Sequence, residues 1–413
     1  MVYYIDEVMG RGKTTAMINY INKLSGDTKI LFITPLLDET KRIRDACSEK
    51  HFVSPEVHGS KLEHIKELLQ SGRNIASTHA LFGRFDQEAI EIIMAAGYTL
   101  VLDETPAVVQ SVDITTWDAK TIMDKYAMMD DHGRIHWVDT EYTGRYDVYK
   151  ELLNFREVFA KNQFHWVTIM PEELFLSFRD VFIMTYMFQD QFTRAYLDLK
   201  QIPYARKYVN GNSLDTYRLS DHYEPAIVQN YKPLIHIVDN KRMNAIGEDR
   251  YALSKNWYKK HRTAASLKPL KNALYNFYRN ITNTSQRYNL WTTFCSDDEF
   301  DEADGTSWQD ILKDQRYASG FLACNAKGTN EFREKTALAY LVNTFPNTNV
   351  LNFFHANGIQ LSRDKYALSE MLQWIWRSAI RDGHEITIYI PSSRMRKLLE
   401  DWLDWCEKGG PAQ

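Results

Sequence analysis

A short glycine-rich stretch close to the start of the chain has the residue types that bind phosphate. In DEVMGRGKTTAM, Gly10 and Gly12 precede Lys13 and Thr14, between an apolar run and a helical pattern. Glycines at such a turn let backbone N–H groups point inward, and the start of the helix adds positive potential. In the pattern G-x-x-x-x-G-K-[ST], the lysine reaches the β- and γ-phosphates and the hydroxyl binds Mg²⁺. The first glycine of that pattern is Glu7 here, and a glycine turn with a chance lysine is the alternative.

An acidic pair follows another apolar run about 90 residues later, in GYTLVLDETP. Asp103 is suited to bind Mg²⁺ through water, and Glu104 is suited to polarise an attacking water. An acidic pair at the start of a helix is the alternative. The sequence thus predicts ATP and Mg²⁺ as ligands, with Thr14 and Asp103 on the metal side. The residues expected to bind the nucleotide are Gly10, Arg11, Gly12, Lys13, Thr14 and Thr15.

The elements that position these groups are short, continuous apolar runs separated by helical patterns. TKILFITPLL ends near Thr34, RNIASTHALF contains Thr78 and His79, and GYTLVLDETP ends in the acidic pair. Such runs are typical of a parallel sheet with crossover helices. Ligands of these sheets bind at the carboxyl ends of the strands, so we expect the polar residues to share one edge.

The order of these motifs resembles superfamily 2 helicases with two RecA-like domains, in particular DEAD/DEAH-like helicases encoded by bacteriophages. MGRGKTT resembles motif I, ITPLLDET motif Ia, STHALF the next nucleic-acid-contacting motif, VLDETP motif II and VFIMTYMF motif III. CNAKGTNEF resembles motif V and QWIWRSAIR motif VI, so the resemblance covers residues 1 to about 398. It implies that Thr185 couples the ATP site to the nucleic-acid track. The residues that it implies along the nucleic-acid backbone are Thr34, Thr78, His79, Thr329 and Asn330.

Two motifs depart from the family pattern. Motif II reads DETP, which supports neither the DEAD nor the DEAH subclass. Motif VI has Gln373, Arg377 and Arg381 in the spacing Q-x-x-x-R-x-x-x-R, where the family has Q-x-x-G-R-x-x-R. A helix would place all three on one face, toward a nucleotide, and a solvated basic face is the alternative. The resemblance implies that Arg377 or Arg381 acts on the γ-phosphate, and the choice between them stays open.

The predicted fold class is α/β, with two tandem RecA-like domains, each a mostly parallel sheet flanked by helices, and an ATP cleft between them. We place the first domain at residues 1–195, with an insertion at about 106–178, and the second at 205–413. In the insertion, GRIHWVDTEYTGRYDVY predicts a strand or hairpin and YKELLNFREVFAK a helix. In the second domain, PLIHIVD, YNLWTTF, SGFLACNA, LAYLVN and EITIYIP predict strands, and the acidic run SDDEFDEADG predicts an exposed loop.

Composition sets the cellular expectations. The 413-residue chain has a net charge of −4, and 25% of its residues are charged, an ordinary globular balance. Its cysteines are scattered singly, which fits neither a disulfide framework nor a zinc site and favours a reducing compartment. The sequence shows no signal peptide and no apolar run near the roughly 18 residues of a membrane span. We therefore expect a soluble, cytoplasmic protein (in the host cytoplasm if viral) without a membrane partner.

The function that this combination predicts is an ATP-dependent helicase or translocase. The expected partner is nucleic acid, with single-stranded or forked DNA favoured and RNA as the alternative, and replication or recombination proteins are the further partners that this function suggests. A viral genome-packaging ATPase or another P-loop NTPase is the alternative. The clearest local positive charge is SKNWYKKHRTAASLKPLKNALYNFYRN, where Lys255, Lys259, Lys260 and Arg262 are hypothesised to contact the nucleic-acid backbone. Its aromatic residues either stack on bases or belong to the core.

Overall fold

The computed structural model describes residues 1–56, 60–160, 165–224, 230–295, 307–326 and 331–409. The chain forms two compact units. The first contains Met1–Glu7, Gly12–Glu224 and Pro346–Ser362, and the second contains Val8–Arg11, Pro225–Phe345 and Arg363–Gln413. The first unit thus extends beyond residue 195, where the sequence analysis places the end of the first domain. It also includes Pro346–Ser362, a segment from the second half of the chain.

The strands supply the two main sheets and the small sheets of the insertion. They are β1 (Val2–Asp6), β2 (Ile30–Thr34), β3 (Ile75–Thr78), β4 (Thr99–Asp103), β5 (Val109–Ser111), β6 (Ala127–Met129), β7 (Ile135–Trp137), β8 (Glu157–Ala160), β9 (Trp166–Ile169), β10 (Asp180–Thr185), β11 (Tyr204–Asn210), β12 (Arg218–Ser220), β13 (Ile235–Ile237), β14 (Asn289–Thr292), β15 (Ala337–Tyr340) and β16 (Ile386–Tyr389).

The helices flank these sheets within each unit. They are α1 (Lys13–Lys23), α2 (Leu37–Ala46), α3 (Lys61–Gln70), α4 (His79–Phe82), α5 (Gln87–Ala96), α6 (Thr116–Lys125), α7 (Asp147–Phe155), α8 (Glu173–Leu176), α9 (Phe192–Leu199), α10 (Lys241–Asn244), α11 (Lys255–Lys260), α12 (Ala264–Asn276), α13 (Trp308–Leu312), α14 (Thr348–Ala356), α15 (Arg363–Ile375) and α16 (Ser393–Glu407). Among the residues described, no helix is both long and apolar enough to cross a membrane.

The main sheet of the first unit has the strand order β12-β11-β1-β10-β4-β2-β3. All of its neighbours pair in parallel except β11 and β12. Every residue of β2 is buried, as expected for a parallel strand that is covered by helices on both faces. The register aligns the carboxyl ends, because Asp6 lies opposite Thr185 and Thr34 opposite Thr78. One edge of this sheet therefore collects the polar residues that end its strands.

The second unit is built on a parallel sheet with the order β13-β16-β15-β14. Its core includes Trp291, Trp308, Tyr278 and Tyr389. The prediction of two α/β units, each with a mostly parallel sheet flanked by helices, is confirmed.

The strand predicted for SGFLACNA is wrong. The segment begins in a short 3₁₀ turn, Ala318–Gly320, in which the Gly320 N–H donates to the Tyr317 carbonyl at 2.9 Å. An isolated bridge then joins Phe321 to Trp291 of β14, and the Leu322 N–H donates to the Trp291 carbonyl at 3.0 Å. Because the backbone is used in a local turn first, the pairing with β14 does not extend into a strand.

The insertion of the first unit forms a small module of its own. Strands β5, β9 and β8 make an antiparallel sheet, and β6 and β7 make a hairpin. Trp166, Tyr146 and Leu153 lie in its separate apolar core. The strand predicted in GRIHWVDTEYTGRYDVY is confirmed as β7, which pairs with β6 just before that segment. The helix predicted over YKELLNFREVFAK is confirmed only as far as Phe155, the end of α7, and the prediction is wrong for Glu157–Ala160, which form β8 and pair with β9.

Helix α14 belongs to the first unit, although it follows about 120 residues of the second. Val350, Leu351 and Phe354 are buried in the core of the first unit. Asn349 donates a hydrogen bond to the Ser111 hydroxyl at 3.3 Å, which ties the helix to β5. The first unit is therefore completed by a segment that is distant in sequence.

Candidate active site

The glycine-rich turn between β1 and α1 has a backbone that requires its glycines. Gly10 and Gly12 have φ angles of +81° and +78°, in the left-handed region that side chains with a Cβ rarely adopt. Gly12 precedes the first residue of α1, and its carbonyl accepts the N–H of Ala16 at 2.8 Å. Thr14 and Thr15 lie in the first turn of that helix, and both are half-buried. The geometry is that of a strand, a tight loop and a helix start.

The Lys13 amine lies at the end of β1 among carboxylates. It donates a hydrogen bond to the backbone carbonyl of Glu7 at 2.5 Å. Burial lowers the pKa of Lys13, while attraction to Asp103, Asp6, Glu7 and Glu104 opposes that change. The two predicted halves of the site, the lysine and the acidic pair, are therefore brought together.

The acidic pair occupies the end of β4 in an unusual electrostatic and conformational state. Burial and the neighbouring carboxylates Glu104 and Glu39 together raise the pKa of Asp103 to about 7, against the opposing attraction of Lys13 and Arg42. Glu104 has a φ of +69°, a backbone state that costs energy for a residue other than glycine and often marks functional sites. Its N–H donates to the Met184 carbonyl at 3.0 Å.

The carboxylates around Lys13 are oxygen ligands of the kind that a divalent cation binds. The described residues contain no group of three or more His, Cys, Asp or Glu side chains arranged as metal ligands. Mg²⁺ needs no such cage, because it keeps several waters and binds through one or two carboxylates and the phosphates of its substrate. Asp103 and the hydroxyl of Thr14 therefore fit Mg²⁺ chemically, and the loop glycines fit a bound phosphate chain.

Strand β10 lies between β1 and β4 and connects the two halves of the site. Met184 is opposite Asp103, and Thr185, at the strand's end, is opposite Asp6. Thr185 is buried, and its carbonyl accepts the N–H of Glu7 at 3.3 Å. Thr185 is thus hydrogen-bonded to the start of the glycine turn. The helicase resemblance implies that this residue couples the site to the nucleic-acid track.

The other polar residues at this edge show differing environments. Thr34 is buried, and its hydroxyl donates to the Leu36 carbonyl at 2.8 Å. The His79 ring nitrogen Nε2 lies 2.8 Å from the Asp103 backbone oxygen, so this histidine is joined to the acidic strand. Thr78 is half-buried at the end of β3. Thr329 and Asn330 lie outside the described residues, as does the acidic run at 296–305.

The three residues of motif VI do not share one helical face, and that expectation is wrong. Helix α15 includes Gln373 but ends at Ile375. The Ser378 hydroxyl bonds to the Ile375 carbonyl at 2.6 Å, and the next N–H, of Ala379, pairs with the distant Lys335 carbonyl at 3.0 Å. These bonds replace the next helical turn. Arg377 follows the helix and is buried, and Arg381 lies in a short 3₁₀ turn, Ala379–Asp382, where it is half-buried.

A buried aspartate and an arginine, neither of which the sequence analysis singled out, brace the turn. The Asp6 carboxylate accepts the N–H groups of Met187 and Phe188 at 2.7 and 2.9 Å, and burial raises its pKa to about 6. Arg206 of β11 donates to the Asp6 carbonyl at 2.9 Å and lies 4.0 Å from the Glu7 carboxylate. This ion pair places a positive charge beside the buried glutamate that stands in place of the pattern's first glycine. Asp6 directly precedes the glycine-lysine pattern, so the sequence could have identified it as part of the site. The residues around Arg206 contain no motif that would have identified it.

The basic segment of the second unit is partly core. Tyr258, Phe277 and Tyr278 are buried, so these rings are not platforms for bases. Trp257 stacks on the His261 ring with 3.9 Å between centroids. Lys260 and Arg262 are exposed on or just after α11. The aromatic half of the hypothesis is therefore wrong for the three buried rings, and the basic half stays a prediction.

The fold and the site define an α/β protein whose first parallel sheet carries a glycine loop, a lysine and an acidic pair along one edge. A family model described as "YonV C-terminal Rossmann-like domain" matches residues 229–403. The chain is 37% identical over 419 residues to the SPbeta prophage-derived uncharacterized protein YonV of Bacillus subtilis (strain 168), with 98% of each protein covered. The chain belongs to the YonV family. It is also similar to a solved structure described as "Structure of S. tokodaii Xpd4", at 12% identity and a TM-score of 0.49, over 97% of this chain and 94% of that one.

Proposed function

We propose that this protein is an ATP hydrolase that moves along nucleic acid as a helicase or translocase. The observation that carries the proposal is the meeting of Lys13 with Asp103 and Glu104 at one edge of a parallel sheet, with a single strand between their strands. The sheet order separates them as β1, β10 and β4. A lysine, a pair of carboxylates and a glycine turn at a helix start are what hydrolysis of a nucleoside triphosphate requires.

Each group has a role that follows from its place. The glycine turn and the start of α1 hold the phosphates, with the Lys13 amine turning from the Glu7 carbonyl to the β- and γ-phosphates. Thr14 and Asp103 hold Mg²⁺, which supplies positive charge beside those phosphates when bound. Glu104 orients the attacking water and takes its proton. A cation bound beside Asp103 would favour its ionised form and so oppose the burial that raises its pKa.

The step from an ATPase to a nucleic-acid motor rests on the order of the helicase-like motifs and on strand β10. Its end is bonded to the turn through Thr185, and the residues after it are bonded to Asp6. A change at the phosphates would therefore be passed to β10 and the loop that follows. Backbone contacts at Thr34, Thr78 and His79 would carry little sequence information, so we propose largely sequence-independent binding, with single-stranded or forked DNA favoured over RNA.

The test is the ATPase rate with single-stranded DNA, duplex DNA and RNA titrated separately. We expect nucleic acid to stimulate the rate, Lys13→Ala to abolish turnover, and Glu104→Gln to bind ATP but hydrolyse it at least about a hundredfold more slowly. Lys23→Ala, at the far end of α1, is the matched lysine control and should keep the wild-type rate. Turnover that survives in the Lys13 or Glu104 variant would refute the site, and turnover indifferent to all three nucleic acids would refute the motor.

A further inference from the structure

The turn between β11 and β12 places an aromatic ring directly on the glycine loop. A Cβ built on Gly12 would lie 2.6, 2.6 and 2.7 Å from Cε2, Cζ and Cδ1 of Tyr217. Cε2 and Cδ1 are opposite each other in the ring, so nearly equal distances to both place this position over the ring face. Only a glycine fits at position 12 beneath this ring.

Tyr217 is fixed there by the helix that begins at Lys13. The side-chain amide of Asn19 on α1 donates to the carbonyls of Tyr217 and Leu214 at 2.9 and 3.0 Å. Gly211 opens the turn with a φ of +97°, and a Cβ there would lie 2.3 Å from the Thr216 carbonyl oxygen. The turn is thus hydrogen-bonded to α1 through its backbone, and the Tyr217 ring packs against the apolar core that includes Met17 and Ile21.

The sheet order shows which end of a nucleotide would meet this ring. In the order β12-β11-β1-β10-β4, the acidic pair lies on one side of β1 and the Tyr217 turn on the other. The acidic pair and the Lys13 amine mark the γ- and β-phosphate end. The α-phosphate, the ribose and the base must therefore extend away from β4, on the side where Tyr217 flanks the start of α1.

We infer that Tyr217 is the aromatic contact for the base of the bound nucleotide. The inference rests on the proposed function, because it assigns the base end of the same site. Tyr217 is half-buried, so part of its ring remains available to a ligand. Contact with a ring surface favours the larger purine bases and does not read the base edge, so ATP and GTP should bind alike and more tightly than UTP.

The experiment compares two diphosphates that differ only by the nucleoside. Binding of Mg²⁺–ADP and of Mg²⁺–pyrophosphate to the full chain is measured by calorimetry, for the wild type, Tyr217→Ala and Tyr217→Phe. We expect Tyr217→Ala to weaken ADP binding about tenfold, as for a lost aromatic–base contact, with pyrophosphate binding unchanged. Tyr217→Phe should bind both like the wild type. Tyr223→Ala, which removes a partly exposed ring from the same region, is the matched control and should change neither.

The other outcomes separate the inference from the proposed function. Equal losses for ADP and pyrophosphate in Tyr217→Ala would show that the ring only shapes the loop, and would overturn the inference alone. Unchanged ADP binding in that variant would also overturn it. A wild type that binds neither diphosphate would overturn the nucleotide site itself, and the inference with it. A melting temperature measured for each variant establishes that it is folded.

Discussion

Replacing the metal-side carboxylate should stabilise the protein while inactivating it. Asp103 has its pKa raised from an ordinary 3.8 to about 7 by burial and by Glu104 and Glu39, after the attraction of Lys13 has been counted. Each pKa unit corresponds to about 1.36 kcal/mol, so ionised Asp103 costs the folded state at most about 4 kcal/mol. Asp103→Asn removes that cost with little change in shape. A gain of about 1–4 kcal/mol in the free energy of unfolding is therefore expected above pH 7.

The sign of the pH dependence is fixed by the direction of this pKa change. Above about pH 7 the folded protein carries ionised Asp103, and the cost is fully present. Between pH 7 and about 4 the folded state takes up a proton at Asp103 that the unfolded state does not, so wild-type stability gains as the pH falls. The advantage of Asp103→Asn should shrink over the same range. Asp6, with a pKa of about 6, changes in the same direction, but it is present in both proteins and cancels in the difference.

The assay is urea unfolding of wild type and Asp103→Asn at several pH values from about 4.5 to 8.5, with EDTA present, a range that spans the titration of the folded protein. Asp27→Asn, in an exposed turn, is the control and should give no pH-dependent difference. Adding Mg²⁺ at the alkaline end should then raise the stability of the wild type but not of Asp103→Asn. A variant that is less stable than the wild type at the alkaline end, or a difference that stays constant down to the acidic end, would refute the reasoning.

Two further predictions concern the second unit. Arg377→Ala and Arg381→Ala should each lower ATP turnover. At least one of them should do so with nucleotide affinity nearly intact, because a contact made in the transition state affects kcat more than binding. Unchanged turnover in both variants would mean that these arginines have only a structural role. Replacing Lys259 and Lys260 together with Ala should weaken nucleic-acid binding. The slope of log affinity against log salt concentration should become shallower by about one to two units. The same slope in a folded double variant would mean that α11 does not touch the phosphates.

The parts of the fold that could be predicted from the sequence are those decided by local pattern. Strands β2 and β4 contain unbroken apolar runs because both faces of a parallel strand are covered. The turn at Gly10 and Gly12 could be predicted because its φ angles near +80° require glycine at both positions. The acidic pair could be joined to it because parallel strands bring their carboxyl ends to one edge.

The parts that could not be predicted depend on partners far away in sequence. The end of α15 is set by the Lys335 carbonyl, which takes the N–H that a longer helix would have used. Arg206 and Tyr217 reach the glycine turn across about 200 residues, through β11 and the turn that follows it. Nothing in the residues around them shows this, because strand order is a property of the whole sheet.

The return of α14 to the first unit has a consequence for how the protein folds during its synthesis. The ribosome releases the N-terminal strands and helices early, yet Val350 and Phe354 complete their core only after about 120 residues of the second unit have been made. Until then the nascent first unit presents an uncovered apolar surface beside β5 and β9. Domains made at the N-terminus usually fold first, but here the core of the first unit is completed only when a much later segment has been made. A chaperone would be of most use during that interval.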